Sequence, residues 1–242
     1  MIHIVLPSFN EADSLKELLP DLVNTFDSER LKYTVYVIDD GSTDGTDRVV
    51  KSFSRRFPKV KLVIHKINMG LAEAVNTGFK TALIKSKNGD VLITMDADNT
   101  HLPGLIIRMI RLINEGNDIV ISSRFVAGSR VKGVPLSRRL LSRTAGVIFK
   151  ILFPIAGVRD YTCGFRAYRV DIIKRGMEIF GDKFISEKGF SCMVDILLKL
   201  RSLDPICVEV PMILRYDLKK GKSKMDVWKT VGDTLKLIAK RL

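Results

Sequence analysis

The chain has 242 residues, 46% of them hydrophobic, enough for the core of one large α/β domain or one domain with an appended subdomain, and too many for a disordered chain. The formal net charge of +13 asks for an anionic partner: nucleic acid, an anionic membrane surface or a phosphorylated substrate. No apolar run reaches the roughly 18–20 residues of a membrane span, the start "MIHIVLPSFNEAD" lacks a signal peptide's basic segment, and Cys163, Cys192 and Cys207 form no CxxC, which excludes a disulfide framework or zinc site and fits reduced thiols in a cytoplasmic chain.

In the first half, strands and helices alternate. "IHIVL" (2–6) is a short apolar run. Leu15, Leu18, Leu19, Leu22, Val23 and Phe26 then recur at helical spacing, with Asn10 and Asp13 at the expected helix start. Pro20 predicts a kink or break within that helix. "YTVYVI" (33–38) is β-branched and aromatic, hence a strand, and "DDGSTDGT" (39–46) is turn chemistry. A helix with Val49, Val50, Phe53 and Phe57 inward precedes the strand "VKLVIH" (60–65). A loop, "NMG", enters the next helix. "VLITM" (91–95) is a strand, 102–115 a helix and "DIVISS" (118–123) a strand. Continuous apolar strands alternating with helices imply an α/β fold with a mostly parallel sheet covered on both faces. Ligands of such sheets bind beyond the carboxyl ends of the strands. "PSFNE", "DDGSTDGT", "NMG" and "DADNTH" all follow strands, so four polar loops converge on one rim.

The second half is less regular and carries the whole charge excess. Residues 1–120 hold 15 Lys and Arg against 16 Asp and Glu, whereas residues 121–242 hold 25 against 11. "VPLSRRLLSRTAGVIFKILFPIAGV" (134–158) is basic, then apolar, and "RDYTCGFRAYR" (159–169) is a loop or short strand. A helix is expected from about Phe190. "PICVEVPMIL" (205–214), split by Pro211, is an edge strand or two short ones. A basic loop, "RYDLKKGKSK", leads to a C-terminal amphipathic helix with Trp228, Val231, Leu235, Ile238 and Leu242 on one stripe.

Asp96 and Asp98 alternate on an extended backbone, so both can face the rim. Two carboxylates that close repel unless a cation lies between them. Oxygen ligands of this kind suit Mg²⁺ or Mn²⁺ holding substrate phosphates. The plainer reading is a solvated turn before the helix at 102. Asp39 and Asp40, ending a buried strand, can accept from a nucleobase N–H or serve an Asx turn. Phe9 and Glu11 offer an aromatic face and a ribose acceptor, or Glu11 serves its own helix's first turn.

The ordered motifs "VLPSFNEADSL", "VIDDGSTDGT", "NMGLAEAVNTG", "MDADNTHLP" and "SSRF" resemble the inverting, GT-A-fold family 2 glycosyltransferases. "DYTCGFRAYR", "SEKGF" and "VPMILRYDLKKGKSKM" are similar to its dolichyl-phosphate mannose synthase branch. The resemblance implies one GT-A domain over 1–226, with a nucleotide-sugar half (1–125) and an acceptor half (126–226), followed by the helix 227–242. It implies hexose transfer from GDP-mannose or UDP-glucose to a polyprenyl phosphate, with Mg²⁺ or Mn²⁺ as cofactor. It assigns Pro7, Phe9, Glu11, Asp39 and Asp40 to the nucleoside, with Asp96 and Asp98 on the metal and diphosphate. Arg138 and Ser142 take the acceptor phosphate, Arg124 the acceptor phosphate or the donor diphosphate, and Arg124, Arg215 and Lys224 join Asp98 in catalysis, the last two closing over the diphosphate. Thr100 stands where this branch often has a Gln ligand, which leaves metal and donor base open, and His101 is a loop residue or a further ligand.

A phosphate acceptor is already anionic, so the expected machinery is cationic and lacks a dedicated base. Glu187 and Asp195 are the nearby acids. The basic, apolar helices predict a peripheral protein at the cytoplasmic membrane face, or one held there by an anchoring partner. The alternative within the family is a nonlipid acceptor in polysaccharide or glycoconjugate synthesis. A basic RNA-binding module is disfavoured by the 7% aromatic content and the acidic strand ends.

Overall fold

Apolar runs of the first half pair side by side in the computed structural model, which describes residues 1–220 and 227–241 apart from the side chains of 136–138 and 227–229. β1 (Ile2–Ser8) lies between β2 (Tyr33–Asp39) and β4 (Val91–Thr94), β3 (Val60–Ile64) flanks β2, and all four are parallel. Ser8 is in register with Asp39 and Asp39 with Ile64, so β1, β2 and β3 end together, while β4 ends opposite Val5. Four helices connect these strands and the next: α1 (Ala12–Ser28), α2 (Thr46–Arg56), α3 (Leu71–Lys85) and α4 (Leu105–Asn114). The apolar stripe of α1, Leu15, Leu18, Leu22 and Phe26, is fully buried, whereas of the α2 stripe only Val50 is, with Val49, Phe53 and Phe57 packed half-buried against the core.

β5 (Ile119–Ser123) does not join β4. β7 (Arg166–Arg169) inserts between them, antiparallel to both, and β8 (Cys207–Pro211) closes the seven-stranded order β3-β2-β1-β4-β7-β5-β8. The remaining elements are β6 (Arg130–Lys132), α5 (Leu136–Leu152), α6 (Val170–Phe180), α7 (Ser191–Leu200), β9 (Ile213–Arg215) and α8 (Val227–Arg241). β9 pairs in parallel with β6 as a separate ribbon. Pro211 therefore divides two short strands, as expected.

The structure departs from the sequence reading at several places, among them the unexpected helix α6 and the later start of α4. The first helix starts at Ala12, two residues after Asn10, which adopts the left-handed conformation with φ 51°. Its cap comes from a distant turn: the Ala12 N–H donates to Asp44 Oδ2 at 3.0 Å. Of the kink or break expected at Pro20, the break does not occur: Pro20 lies inside α1 without ending it, and the packed apolar face outweighs one missing backbone donor. The stripe of α8 is shifted, with Leu237 and Ile238 buried and Leu235 exposed, because the helix docks against α7. The side chains of Trp228 and Leu242 lie outside the described residues. All three cysteines are free, two of them buried.

The approach of α3 to β1 needs a glycine. A Cβ on Gly78 would lie 2.2 Å from Val5 Cγ1, inside a fully buried contact. Gly78→Ala is expected to destabilise the protein by about 1–3 kcal/mol, seen as a lower urea midpoint at unchanged m-value. An unchanged midpoint would contradict so close a contact.

Candidate active site

The carboxyl ends of β1, β2, β3 and β4 gather their loops as the alternation predicted. Asp39 accepts from the Ser42 N–H at 3.1 Å, so it shapes its own turn. Asp40 faces the third loop: it accepts from the Met69 and Gly70 N–H groups at 2.9 and 2.7 Å and contacts His65 Nδ1 at 2.7 Å. His65 Nε2 continues to Thr77 Oγ1 at 3.0 Å. Asp40 is thus a buried post that sets the "NMG" backbone. Glu11 is also buried and accepts from the Ser14 hydroxyl at 2.8 Å, in the first turn of α1. Pro7 and Phe9 remain half-exposed at the end of β1. Asn10 Oδ1 accepts from the Thr43 N–H at 2.8 Å, binding the first loop to the second.

Asp96 and Asp98 follow β4. The Asp96 side chain is 41% exposed, with His101 Nε2 3.5 Å from its Oδ2. His101 is buried against the Phe165 ring and bridges to Leu214 through its backbone. Asp98 is buried: Oδ1 accepts from the Thr100 N–H and hydroxyl at 3.2 and 2.7 Å, and Oδ2 is ion-paired with Lys219. Thr100 thus orients Asp98. Burial opposes both charges, yet their attraction prevails, holding Asp98 below the usual carboxylate range and Lys219 above its ordinary value. The adjacent Lys220 pairs with Glu17, which also accepts from Asn99 Nδ2 at 3.1 Å. The segment after β9 is therefore strapped over Asp98 and Glu17.

Sequence reasoning missed Lys219. The signal was the basic run "RYDLKKGKSK", but its two candidates were Arg215 and Lys224. Arg215 Nε and Nη2 both bond Asp217 at 3.0 Å, and only its backbone reaches the site, donating to the Thr100 carbonyl at 2.9 Å. Lys224 and the Arg138 side chain lie outside the described residues.

A second cluster joins the end of β5 to α5. Arg124 forks onto Asp160 at 2.8 and 2.6 Å, donates to Thr162 Oγ1 at 2.6 Å and reaches Ser142 Oγ with Nη1 at 3.4 Å. Two predicted acceptor residues, Arg124 and Ser142, are thereby brought together. Asp160 was not anticipated, although it lies in the Arg-rich stretch 159–169. It is fully buried; desolvation alone would raise its pKa, but Arg124 overrides this and holds it below the usual range. Glu187 is paired with Lys240 at 2.7 Å, and buried Asp195 contacts Lys199, Arg241 and Ser186 at 2.6–3.0 Å. Both nearby acids are therefore engaged with cations.

A depressed folded-state pKa contributes stability above the unfolded value and loses it as pH falls through the folded one. Asp160, Asp98 and Asp195 all lie on that side, so unfolding stability is expected to fall below about pH 4. Asp160→Asn leaves Arg124 without its charge partner. It is expected to cost about 3–5 kcal/mol at pH 7, with the difference from wild type narrowing by pH 3 in urea titrations. A difference constant across that range would show that Asp160 does not ionise in this role.

Comparison with known proteins points the same way as the rim geometry. Residues 3–177 match the family described as glycosyl transferase family 2. A dolichol-phosphate mannosyltransferase of Pyrococcus furiosus is 33% identical over 98% of this chain, which spans 62% of that relative's length. A polyprenol monophosphomannose synthase of Mycolicibacterium smegmatis is 30% identical over 92% of this chain and 80% of its own. In fold, the chain is similar to a glucosyl-3-phosphoglycerate synthase from Mycobacterium tuberculosis, solved in complex with Mn²⁺, UDP and phosphoglyceric acid. That likeness has a TM-score of 0.66 and 17% identity and covers 99% of this chain and 76% of the other. With the motifs, the strand order and the family match in agreement, the chain belongs to glycosyl transferase family 2.

Proposed function

We propose that this protein transfers a hexose, with inversion, from a nucleoside-diphosphate sugar to the phosphate of a polyprenyl lipid. The observation that carries the reading is the Asp96–Asp98 pair at the rim with a cation already drawn to it. Two carboxylates fit Mg²⁺ or Mn²⁺, which typically takes one or two protein carboxylates and completes its shell with substrate phosphates and water. Asp96 and Asp98 would hold the ion, whose charge stabilises the diphosphate leaving group.

The chain's own residues supply positioning and charge. The loops fixed by Asn10, Asp39 and Asp40 form the nucleoside floor, beside Pro7 and Phe9. Arg124 and Ser142 receive the acceptor phosphate. One of its oxygens bonds to the anomeric carbon while the bond from that carbon to the diphosphate oxygen breaks. That oxygen is already anionic, so no base has to remove a proton. Engagement of Glu187 and Asp195 with cations supports this. Mannose from GDP-mannose is the favoured donor group, since the two relatives above are named for mannosyl transfer to such lipids.

The face of α5 fits a lipid acceptor. Phe149 and Phe153 pack inward, while Leu140, Val147, Ile148 and Ile151 are exposed on the opposite stripe, beside exposed Arg143 and Lys150. Such a helix lies in a membrane interface, with Ser142 on the same helix to meet the phosphate. No helix among the described residues is long and apolar enough to cross a membrane. Peripheral attachment at the cytoplasmic face, alone or through an anchoring partner, follows from this reading.

The primary test offers GDP-mannose, UDP-glucose and UDP-GlcNAc with one short polyprenyl phosphate and reads nucleoside diphosphate release, with and without chelator. Turnover is expected with GDP-mannose, abolished by chelation, and lowered about 10²–10³-fold in Asp98→Ala. Turnover indifferent to both chelator and Asp98 would defeat the proposal. Separately, Leu140→Glu with Ile151→Glu is expected to weaken flotation with anionic vesicles at least about tenfold, without lowering the thermal midpoint. Equal flotation would remove α5 as the lipid-facing helix.

A further inference from the structure

Asp98 has two carboxylate oxygens, and both have partners. Oδ1 is held by the Thr100 N–H and hydroxyl, and Oδ2 by the Lys219 ammonium. Lys219 is only 13% exposed and lies 5.6 Å from the Tyr216 ring centroid, so few competing waters reach it. A divalent ion approaching Asp98 must therefore take the oxygen that Lys219 holds. Oδ2 has a second lone pair, but a divalent ion and an ammonium on one oxygen lie close enough to repel in a site with so little water, so each weakens the other's hold.

The root of the strap cannot retreat with its lysine. Arg215 N–H bonds the Thr100 carbonyl, His101 bridges to Leu214, and β9 pairs with β6. Arg215 and Lys132 both grip Asp217. What can move is the four-carbon side chain of Lys219, whose ammonium stays within about 6 Å of its own Cα. Within that reach of Asp98, the only new anion that a metal brings is the diphosphate bound to it.

We infer that Lys219 occupies the divalent cation's place on Asp98 in the resting protein and passes to the donor's diphosphate when metal and nucleotide arrive together. This rests on the metal site proposed above. Metal alone must displace Lys219 without giving it another anion. Metal with nucleotide offers the diphosphate in exchange. Lys219 thus couples the two ligands, each raising the other's affinity, and discourages metal binding without the donor. Lys219 is then a diphosphate-contacting residue distinct from Arg215, whose guanidinium is held on Asp217.

The test is Mn²⁺ binding followed by the electron paramagnetic resonance of free Mn²⁺, with and without GDP, in wild type, Lys219→Met, Lys219→Arg and Asp98→Asn. Wild type should bind Mn²⁺ weakly alone and more tightly with GDP. Lys219→Met should bind Mn²⁺ alone at least about tenfold more tightly, a difference of about 1.4 kcal/mol, and show a smaller enhancement by GDP. Lys219→Arg keeps the charge and should stay near wild type, which separates charge from misfolding. If Lys219→Met binds Mn²⁺ no more tightly than wild type while Asp98→Asn abolishes binding, the lysine exchange is wrong and the metal site stands. If Asp98→Asn binds Mn²⁺ like wild type, or no protein binds it even with GDP, the metal site falls and this inference falls with it.

Discussion

Parallel strands that end in register bring their polar loops to one lip, and the carboxylates gathered there repel one another. Everything distinctive in this molecule follows from how that repulsion is met. Asp40 and Asp44 are met by backbone N–H groups of neighbouring segments and Asp39 by one of its own turn, which turns each carboxylate into a fastener. Asp98 is met by a lysine from more than a hundred residues away. Asp96 keeps a large exposed fraction beside His101 and is the side chain of the set best placed for an incoming ligand.

The antiparallel strand β7 sets the other wall. By separating β4 from β5, it brings the segment just before it, residues 160–165, against the site. Thr94 Oγ1 donates to the Gly164 carbonyl at 2.6 Å, tying that segment to the strand that carries the aspartates. Asp160 then lies beneath Arg124, and its burial is tolerable because the guanidinium satisfies both carboxylate oxygens while the Arg124 and Cys163 N–H groups add further donors. Arg124 is thereby held rigid, with Nη1 turned toward Ser142. A fixed cation facing an anionic substrate stabilises charge without having to reorganise.

Basic charge is thus used in three ways. Arg124 is pre-set by a buried carboxylate. Lys219 sits on the carboxylate that a metal would claim. Arg241 and Lys240 of α8 hold Asp195 of α7 and Glu187 of the loop before it, so the C-terminal helix is joined there by charge as well as by Leu237 and Ile238. The excess of the second half is therefore partly internal counter-charge, and only part of it remains for substrate.

The sequence alone determined the strand–helix alternation, the loops at the strand ends and the carboxylate pair, because apolar periodicity and local turn chemistry are properties of neighbouring residues. The resemblance of its motifs to the family marked Arg124 and Ser142, which lie within hydrogen-bond reach of each other. Tertiary structure alone decided that Asp44 caps α1, that β7 enters antiparallel, that α8 turns Leu237 rather than Leu235 inward, and that Lys219 rather than Arg215 reaches Asp98. Each of those outcomes is a contact between segments far apart in the chain, settled by competition among many possible partners for the same buried position. A pattern of nearest neighbours carries no record of which partner wins.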